Sequence, residues 1–443
     1  MYKLEFTLKQ HTPLIHFQHD QAGATLRASE VKPKLDKFIL SQKGLKNVPD
    51  FWYSDKEKES LNYKLRFMPV DIKKKHYYTS NPPSPNNKDP KHRQIVDNEF
   101  NAEYVGQTQY FANNENLKDF GIKDKEEVRL GTLSDVIRGE FFCYNLSLLG
   151  DIESILVNFF LSYNFSCRNS KGFGCFTVIN INGNKQVFRE QDLASQFDVV
   201  YKVEQLMNNY NEALKTISDI YKLLKSGKGQ REQGGYKKSL LFRYFVSMAN
   251  PIRWEKRKIK QGIKSKYFKY RKSDGNLTDI ELTYTHEPCY ELGNFKNWND
   301  LPKPYSYKYI RALLGLAESY EFLADEIESE KFEYYIKVKS NNGIERFKSP
   351  ITFKYINGVI YICSNSVSPK ILNTKTNPVS FNFDKLLKRN NKLQDKPFFI
   401  TTDYLKNLET PSEFNIGDFL DFAFKRDTEK IDGIISIKNN LIL

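Results

Sequence analysis

The sequence predicts an α+β fold that is divided between two domains. The chain has 443 residues, which is more than a single hydrophobic core usually organises. Segments with an apolar residue at every second position are interspersed with segments whose apolar residues recur at helical spacing. One polar and one strongly basic stretch interrupt these regular segments. We therefore expect two α+β domains with large insertions, over residues 1–195 and 196–443.

The first half of the N-terminal domain contains two predicted strands and a helix. Residues 2–8 and 63–68 alternate between apolar and polar side chains, as a half-buried strand does. Between them, a helix is predicted to begin near Pro33, whose missing N–H costs little in a first turn. Residues 73–116 are rich in Lys, Asn and Pro, which predicts a long insertion or a mobile loop.

The rest of this domain supplies two more strands and the most regular helical pattern of the chain. A strand is predicted over residues 140–148 and another over 173–181. Between them, apolar residues over 152–163 fall at helical spacing, with Asp151 as the expected N-cap. The resulting order, β-α-β-β-α-β, is that of a ferredoxin-like domain.

The C-terminal half is less regular, and a second ferredoxin-like domain is the simplest interpretation. Helices are predicted over residues 203–221, 239–248 and 306–322, and a strand over 332–338. Two further strands flank Asn357–Gly358, a strong signal for a type I′ hairpin turn.

The charge of the chain favours an acidic partner, and nucleic acid is the first candidate. Its formal net charge is +14, its pI is about 9.2, and aromatic residues make up 14% of it. A generally basic proteome is the alternative explanation. The five cysteines form no C-x-x-C pair, and the sequence shows neither a signal-peptide core nor a membrane-length apolar run. We expect a cytoplasmic protein with no membrane partner.

A glycine-containing loop is predicted between the second helix and the last strand of the first domain. Gly172 and Gly174 permit backbone conformations with positive φ and close approach, and Arg168 and Lys171 add positive charge. Such a loop suits a phosphate backbone. An ordinary surface turn is the alternative.

The start of the first helix is a second candidate phosphate site. Helix N-termini carry unpaired amides and a partial positive charge, to which Arg27, Ser29, Lys32 and Lys34 would add contacts. The alternative is a solvated helix start. In a ferredoxin-like domain this helix start and the glycine loop can lie close enough to form one groove.

Residues 251–272 form a third candidate. This segment has ten Lys or Arg residues against one Glu, with aromatic residues between them. Arg253, Arg257 and Lys260 could follow an RNA backbone while the aromatic rings stack on bases. A solvated charged helix face is the alternative.

Three histidines are the only candidates for chemistry. His11, His16 and His19 cluster after the first strand, and one of them could act as a general base toward an RNA 2′-hydroxyl. Ordinary loop histidines are the alternative, since no metal-site spacing accompanies them. Motifs of phosphate-binding loops, serine hydrolases and zinc proteases do not occur. We expect no catalytic residue, metal, cofactor or small-molecule substrate.

Four segments together resemble a known group of proteins. Residues 25–35 resemble the basic first-helix motif of the RAMP superfamily of CRISPR proteins, and residues 170–174 resemble its glycine-rich loop. Residues 309–316, followed by 346–351, are similar to the type III-B (Cmr) family of subunits numbered one, which consist of two fused RAMP domains.

This resemblance implies a non-catalytic subunit of an antiviral ribonucleoprotein. It would cap the effector filament at the 3′ end of the CRISPR RNA and help to capture target RNA, with other RAMP subunits as partners. The RNA-binding residues that it implies are Arg27, Lys32, Lys34, Arg168, Lys171, Gly172, Gly174, Arg311 and Arg346.

Three alternatives remain open at this point. The first is a RAMP-fold endoribonuclease that processes CRISPR repeat RNA with one of the histidines. The second is the other RAMP cap subunit of the same complex. The third is an adaptor that does not depend on RNA and whose basic surface docks an acidic protein.

Overall fold

A computed structural model describes most of the chain. The described residues are 1–15, 25–44, 47–55, 57, 59–69, 72–79, 102–107, 128–230, 235–248, 252–255, 306–316, 319–327, 330–389, 392–393 and 408–437. They form an α+β structure, as the sequence predicts.

The described chain divides into two compact units. Unit 1 comprises Met1–Ile220, Ile351–Asn365 and Gly433–Leu443, and unit 2 comprises Tyr221–Pro350 and Ser366–Asp432. The domain boundary expected at residue 195 stays a prediction, because units defined in space need not coincide with domains defined along the sequence.

The regular elements are numbered in chain order. The helices are α1 (Ala28–Lys43), α2 (Leu146–Ser162), α3 (Glu190–Ser195), α4 (Tyr210–Lys225), α5 (Leu240–Val246) and α6 (Ile416–Asp421). The strands of the first half are β1 (Tyr2–Gln10), β2 (Leu14–Ile15), β3 (Tyr63–Pro69), β4 (Ile72–Thr79), β5 (Ala102–Gln107), β6 (Val128–Ser134), β7 (Val136–Cys143), β8 (Phe176–Ile181), β9 (Asn184–Lys185), β10 (Val199–Val203), β11 (Lys228–Gln230) and β12 (Gly235–Lys237). The later strands are β13 (Ile252–Trp254), β14 (Ser306–Lys308), β15 (Ser319–Ile327), β16 (Glu330–Ser340), β17 (Ile351–Ile356), β18 (Val359–Ser364), β19 (Ser380–Arg389), β20 (Lys392–Leu393), β21 (Leu408–Glu409) and β22 (Ile434–Ser436).

The largest sheet of unit 1 is antiparallel, with the strand order β3-β7-β1-β8-β9. Apolar residues of its first four strands share one core with helices α1 and α2. In β1, Leu4, Phe6 and Leu8 are buried while Lys3 and Glu5 are exposed. The strand predicted from this alternation is therefore confirmed.

Two further sheets complete unit 1. One has the order β17-β18-β10-β22, and the turn between β17 and β18 places Asn357 at φ 49° and Gly358 at φ 90°. These angles confirm the predicted I′ hairpin. The other sheet has the order β2-β6-β4-β5. Its strands β4 and β5 lie in the segment predicted to be an insertion or loop, so that segment contains regular structure.

Unit 2 is built around the antiparallel sheet β15-β16-β19-β20, with β21 also paired to β19. Two small pairs accompany it, β11 with β12 and, in parallel, β13 with β14.

Several predicted boundaries and one predicted helix are wrong. Helix α1 begins at Ala28, so Pro33 lies inside it, and α4 begins only at Tyr210, after strand β10. The strand predicted over 140–148 ends at Cys143, because Asn145 caps α2 by accepting a hydrogen bond from the Leu148 amide at 3.1 Å, in place of Asp151. The helix predicted over 306–322 consists of β14, a 3-10 turn at Ile310–Leu314 and the start of β15. Gly315, at φ 106°, ends that turn.

Candidate nucleic-acid interface

The glycine loop and the start of α1 lie in direct contact. The Ser166 amide donates a hydrogen bond to Glu30 Oε1 at 2.5 Å. Lys34 Nζ is 3.0 Å from the same carboxylate oxygen and 4.8 Å from the centroid of the Phe165 ring. The proximity expected of these two segments is therefore confirmed.

Both glycines have positive φ, and the packing around Gly174 leaves no room for a side chain. At Gly174, with φ 64°, a Cβ atom would lie 1.9 Å from the carbonyl oxygen of Phe165. At Gly172, with φ 87°, it would lie 2.7 Å from Ile217 Cδ1. The Gly174 amide donates to Pro13 O at 3.0 Å, so the backbone exposure that the sequence suggested for this loop is not present at Gly174.

The loop segment that precedes the glycines, residues 166–171, has a tightly turned backbone. Ser166 and Arg168 adopt positive φ values of 69° and 57°, which are uncommon outside glycine. The Cys167 amide donates to Ile15 O at 3.0 Å, and the Lys171 amide donates to Arg168 O at 2.7 Å. The first bond joins the segment to the end of β2, and the second closes a turn within it.

The positive charges of the loop lie close to its packed side. The Arg168 guanidinium carbon is 5.6 Å from the centroid of the Phe173 ring, and burial lowers the pKa of Arg168 to about 10. Arg168 therefore remains protonated at neutral pH. Lys171 Nζ is also buried. Both residues are half-buried, and both contribute positive potential to the loop.

The start of α1 presents one basic and one hydroxyl group. Arg27 is the N-cap residue and is half-buried, and Ser29 is exposed. No side chain caps this helix end, but Glu30 places a carboxylate in the first turn, where it offsets part of the N-terminal positive potential of α1.

Lys32 differs from its neighbours because it belongs to an internal network. Its ammonium donates to Asp36 Oδ2 at 2.7 Å and to Leu61 O at 2.8 Å, and it lies 4.3 Å from the centroid of the Tyr63 ring. Asp36 is only 3% exposed. The structure therefore gives Lys32 a part in joining α1 to the start of β3.

The candidate RNA-binding residues of the second half of the chain differ in burial. Arg311 is 9% exposed and is paired with the buried Glu255, whereas Arg346 is exposed. Near this pair, burial and the Arg311 charge lower the pKa of Lys225 to about 7, although Glu255 opposes the shift. Arg257, Lys260 and the side chain of Arg253 lie outside the described residues.

Of the three candidate histidines, the structure describes only His11. His11 is 7% exposed, and its Nε2 lies 2.8 Å from Thr177 Oγ1. Burial, followed by the charges of Lys9 and Lys354, lowers the pKa of His11 to about 3. A base of that strength is poorly matched to proton abstraction near neutral pH. His16 and His19 lie outside the described residues.

Three residues that shape this region were missed by the sequence analysis: Glu30, Asn164 and Lys354. Glu30 lies inside the basic motif, three positions after the observed N-cap Arg27, and it was missed because the helix was predicted to begin only near Pro33. Asn164 and Lys354 are buried and are joined over 190 positions of sequence by a hydrogen bond of 2.8 Å. No local pattern indicates such a contact.

Neither a metal site nor a membrane span is found in the described part of the chain. No group of three His, Cys, Asp or Glu side chains there could hold a metal ion. No described helix has the length and apolar character needed to cross a bilayer.

Comparison with protein families matches both halves of the chain. The model of the Cmr1 N-terminal domain matches residues 1–228, and that of the Cmr1 C-terminal domain matches residues 236–441. These matches define the class of the protein as a RAMP-type subunit of type III-B CRISPR effectors. The chain belongs to the Cmr1 family.

Two solved structures are similar to this chain at low identity. A crystal structure of Cmr1 from Pyrococcus furiosus in its apo form matches at 12% identity and a TM-score of 0.32, over 84% of this chain and 92% of that one. A chain from a cryo-EM structure of the type III-B Cmr-beta complex bound to cognate target RNA matches at 12% identity and a TM-score of 0.27. That match covers 41% of this chain and 59% of the other. The comparison with curated protein sequences gave no match.

Proposed function

We propose that this protein is a non-catalytic RNA-binding subunit of a type III-B CRISPR effector. It would cap the filament at the 3′ end of the CRISPR RNA, help to capture target RNA and contact other RAMP subunits. The observation that carries this proposal is membership of the Cmr1 family over both halves of the chain. Cytoplasmic location and a role in antiviral defence follow from the same proposal.

We further propose that unit 1 contains a RAMP domain of the ferredoxin-like type. Its elements follow the order β1-α1-β3-β7-α2-β8, and the four strands are arranged as β3-β7-β1-β8. This order supports the assignment, because it is the β-α-β-β-α-β unit with both helices in one core.

The start of α1 and the adjoining loop are the proposed RNA-backbone site of unit 1. Ser29 is its exposed group, and Arg27, Lys34, Arg168 and Lys171 are half-buried and add positive charge. Gly172 and Gly174 permit the loop geometry. Arg253, Arg257, Lys260, Arg311 and Arg346 remain proposed contacts of the second half.

RNA binding and cleavage by the purified full chain test this function. Arg27→Ala should weaken binding of CRISPR RNA by about tenfold, since a charge-assisted phosphate contact contributes about 1.5 kcal/mol. Lys185→Ala is the matched control, because Lys185 is an exposed lysine on the edge strand β9. Equal losses in the two variants would argue against a site at α1. Cleavage of repeat RNA that disappears in a His16→Ala or His19→Ala variant would establish the endoribonuclease alternative.

A further inference from the structure

Strand β17 contributes a lysine that is completely buried. Lys354 is 0% exposed, although lysine is among the residues least often buried. Its Nζ donates to Asn164 Oδ1 at 2.8 Å, to Tyr163 O at 3.0 Å and to Phe160 O at 3.2 Å. An ammonium group has three donors, and each of them has an acceptor here.

Two of these acceptors belong to the C-terminal end of α2. The last four carbonyl groups of a helix have no partner within the helix, and they carry a partial negative charge. Phe160 lies in the last turn of α2, and Tyr163 is its C-cap residue. Lys354 therefore supplies the hydrogen bonds and the positive charge that this buried helix end requires.

The third acceptor, Asn164, continues the network into the loop. Its Nδ2 donates to Asn169 O at 2.7 Å and to Phe353 O at 2.8 Å. The Phe353 amide in turn donates to Ser170 O at 3.2 Å, and Lys171 forms a parallel bridge with Phe353. The backbone of residues 169–171 is thus bonded both to Asn164 and to strand β17.

We propose that Asn164 and Lys354 are positioning residues that fix the conformation of residues 166–171, the loop that adjoins the start of α1. Neither residue contacts RNA in this proposal. Lys354 orients Asn164, and Asn164 connects the loop to a strand about 185 positions later in the sequence. The consequence for RNA binding rests on the proposed function, whereas the fixed geometry of the loop does not.

The variant Asn164→Asp separates the two roles of this side chain. The carboxylate still accepts from Lys354, but it cannot donate to Asn169 O or Phe353 O. Amide hydrogen exchange of the full chain should become at least about tenfold faster at Ser166, Cys167 and Lys171, because two buried hydrogen bonds are lost. The amides of β1, which report the stability of unit 1 as a whole, should accelerate less than these loop amides.

Two controls accompany this measurement. Asn184→Asp introduces the same charge at an exposed position of β9 and should leave exchange in the loop unchanged. Lys354→Met removes the ammonium and should accelerate exchange in the same loop if the variant folds. Loop exchange in Asn164→Asp that stays within twofold of the wild-type rate overturns the proposal.

A double-mutant cycle tests the consequence for RNA. In the Asn164→Asp background, the effect of Lys171→Ala on the Kd for CRISPR RNA should shrink by about threefold or more, because the loop is no longer held in place. The effect of Arg27→Ala should be unchanged, since Arg27 precedes α1 and has no bond to Asn164 in this network. Full additivity of Lys171→Ala with Asn164→Asp contradicts positioning. A wild-type chain that binds no RNA contradicts the proposed function, while hydrogen exchange still decides whether these residues fix the loop.

Discussion

Substitution of Gly174 by alanine tests whether packing within the chain determines the conformation of the glycine loop. With φ at 64°, an L residue costs about 1 kcal/mol in backbone strain alone. The added Cβ would also lie 1.9 Å from Phe165 O, a backbone atom that cannot rotate away. Relief requires the backbone to move, which disrupts the bonds of Gly174 O with the Phe165 amide at 2.9 Å and of the Gly174 amide with Pro13 O at 3.0 Å. The loss of one buried hydrogen bond adds about 2 kcal/mol.

We therefore expect Gly174→Ala to lower the free energy of unfolding of unit 1 by about 3 kcal/mol. Gly183→Ala is the matched control, because Gly183 has φ 85° in the same unit but no atom within 4 Å of the added Cβ. It should cost only the strain of about 1 kcal/mol. Hydrogen exchange of the β1 amides, measured with increasing urea, gives the stability of unit 1 separately. Equal losses in the two variants would refute the steric argument.

Three other predictions concern charge and burial. His11 has a pKa of about 3 in the folded protein, against 6.5 for an ordinary histidine. As the pH falls below 6.5, the His11 side chain therefore binds a proton in the unfolded chain but not in the folded one. Between pH 6.5 and pH 5 the wild type should therefore lose about 2 kcal/mol of stability that His11→Gln keeps, and identical urea curves for the two proteins would contradict this. Lys32→Met should cost about 2 kcal/mol of stability by leaving the buried Asp36 without its cationic partner, yet it should change RNA affinity less than Arg27→Ala does. Calorimetry and a binding titration measure the two effects, and a larger loss of affinity in Lys32→Met than in Arg27→Ala would contradict this. In unit 2, Asp427→Asn should cost about 3 kcal/mol, because Arg243, paired with it at 2.8 Å, keeps its charge in a buried site; a melting temperature equal to that of the wild type is the contrary result.

The spacing of apolar residues predicted the strands and helices in which buried positions recur at a regular interval. The alternation of Leu4, Phe6 and Leu8 identified β1, because one face of its sheet is buried. The spacing of Ile152, Leu156 and Phe159 identified α2 for the same reason. The Asn357–Gly358 turn was readable because few residues tolerate two successive positive φ values.

Other elements depend on contacts that no short window contains. Residues 310–314 have the composition of a helix, but all five are buried in a single 3-10 turn that Gly315 ends. The candidate site shows the same limit. The proximity of α1 and the glycine loop was predictable from topology, whereas the burial of Lys171 Nζ and the role of Lys354 depend on packing between distant segments.

The RNA that copurifies with this protein tests the central claim most directly. A tagged full-length chain would be isolated from its native cells, and the associated RNA would be sequenced with and without prior nuclease treatment. A Cmr1-family cap subunit should enrich CRISPR RNA together with other RAMP subunits, and nuclease treatment should release part of the assembly. Recovery of an intact protein complex with no CRISPR RNA above the level of an unrelated basic protein would contradict the account and support an RNA-independent adaptor.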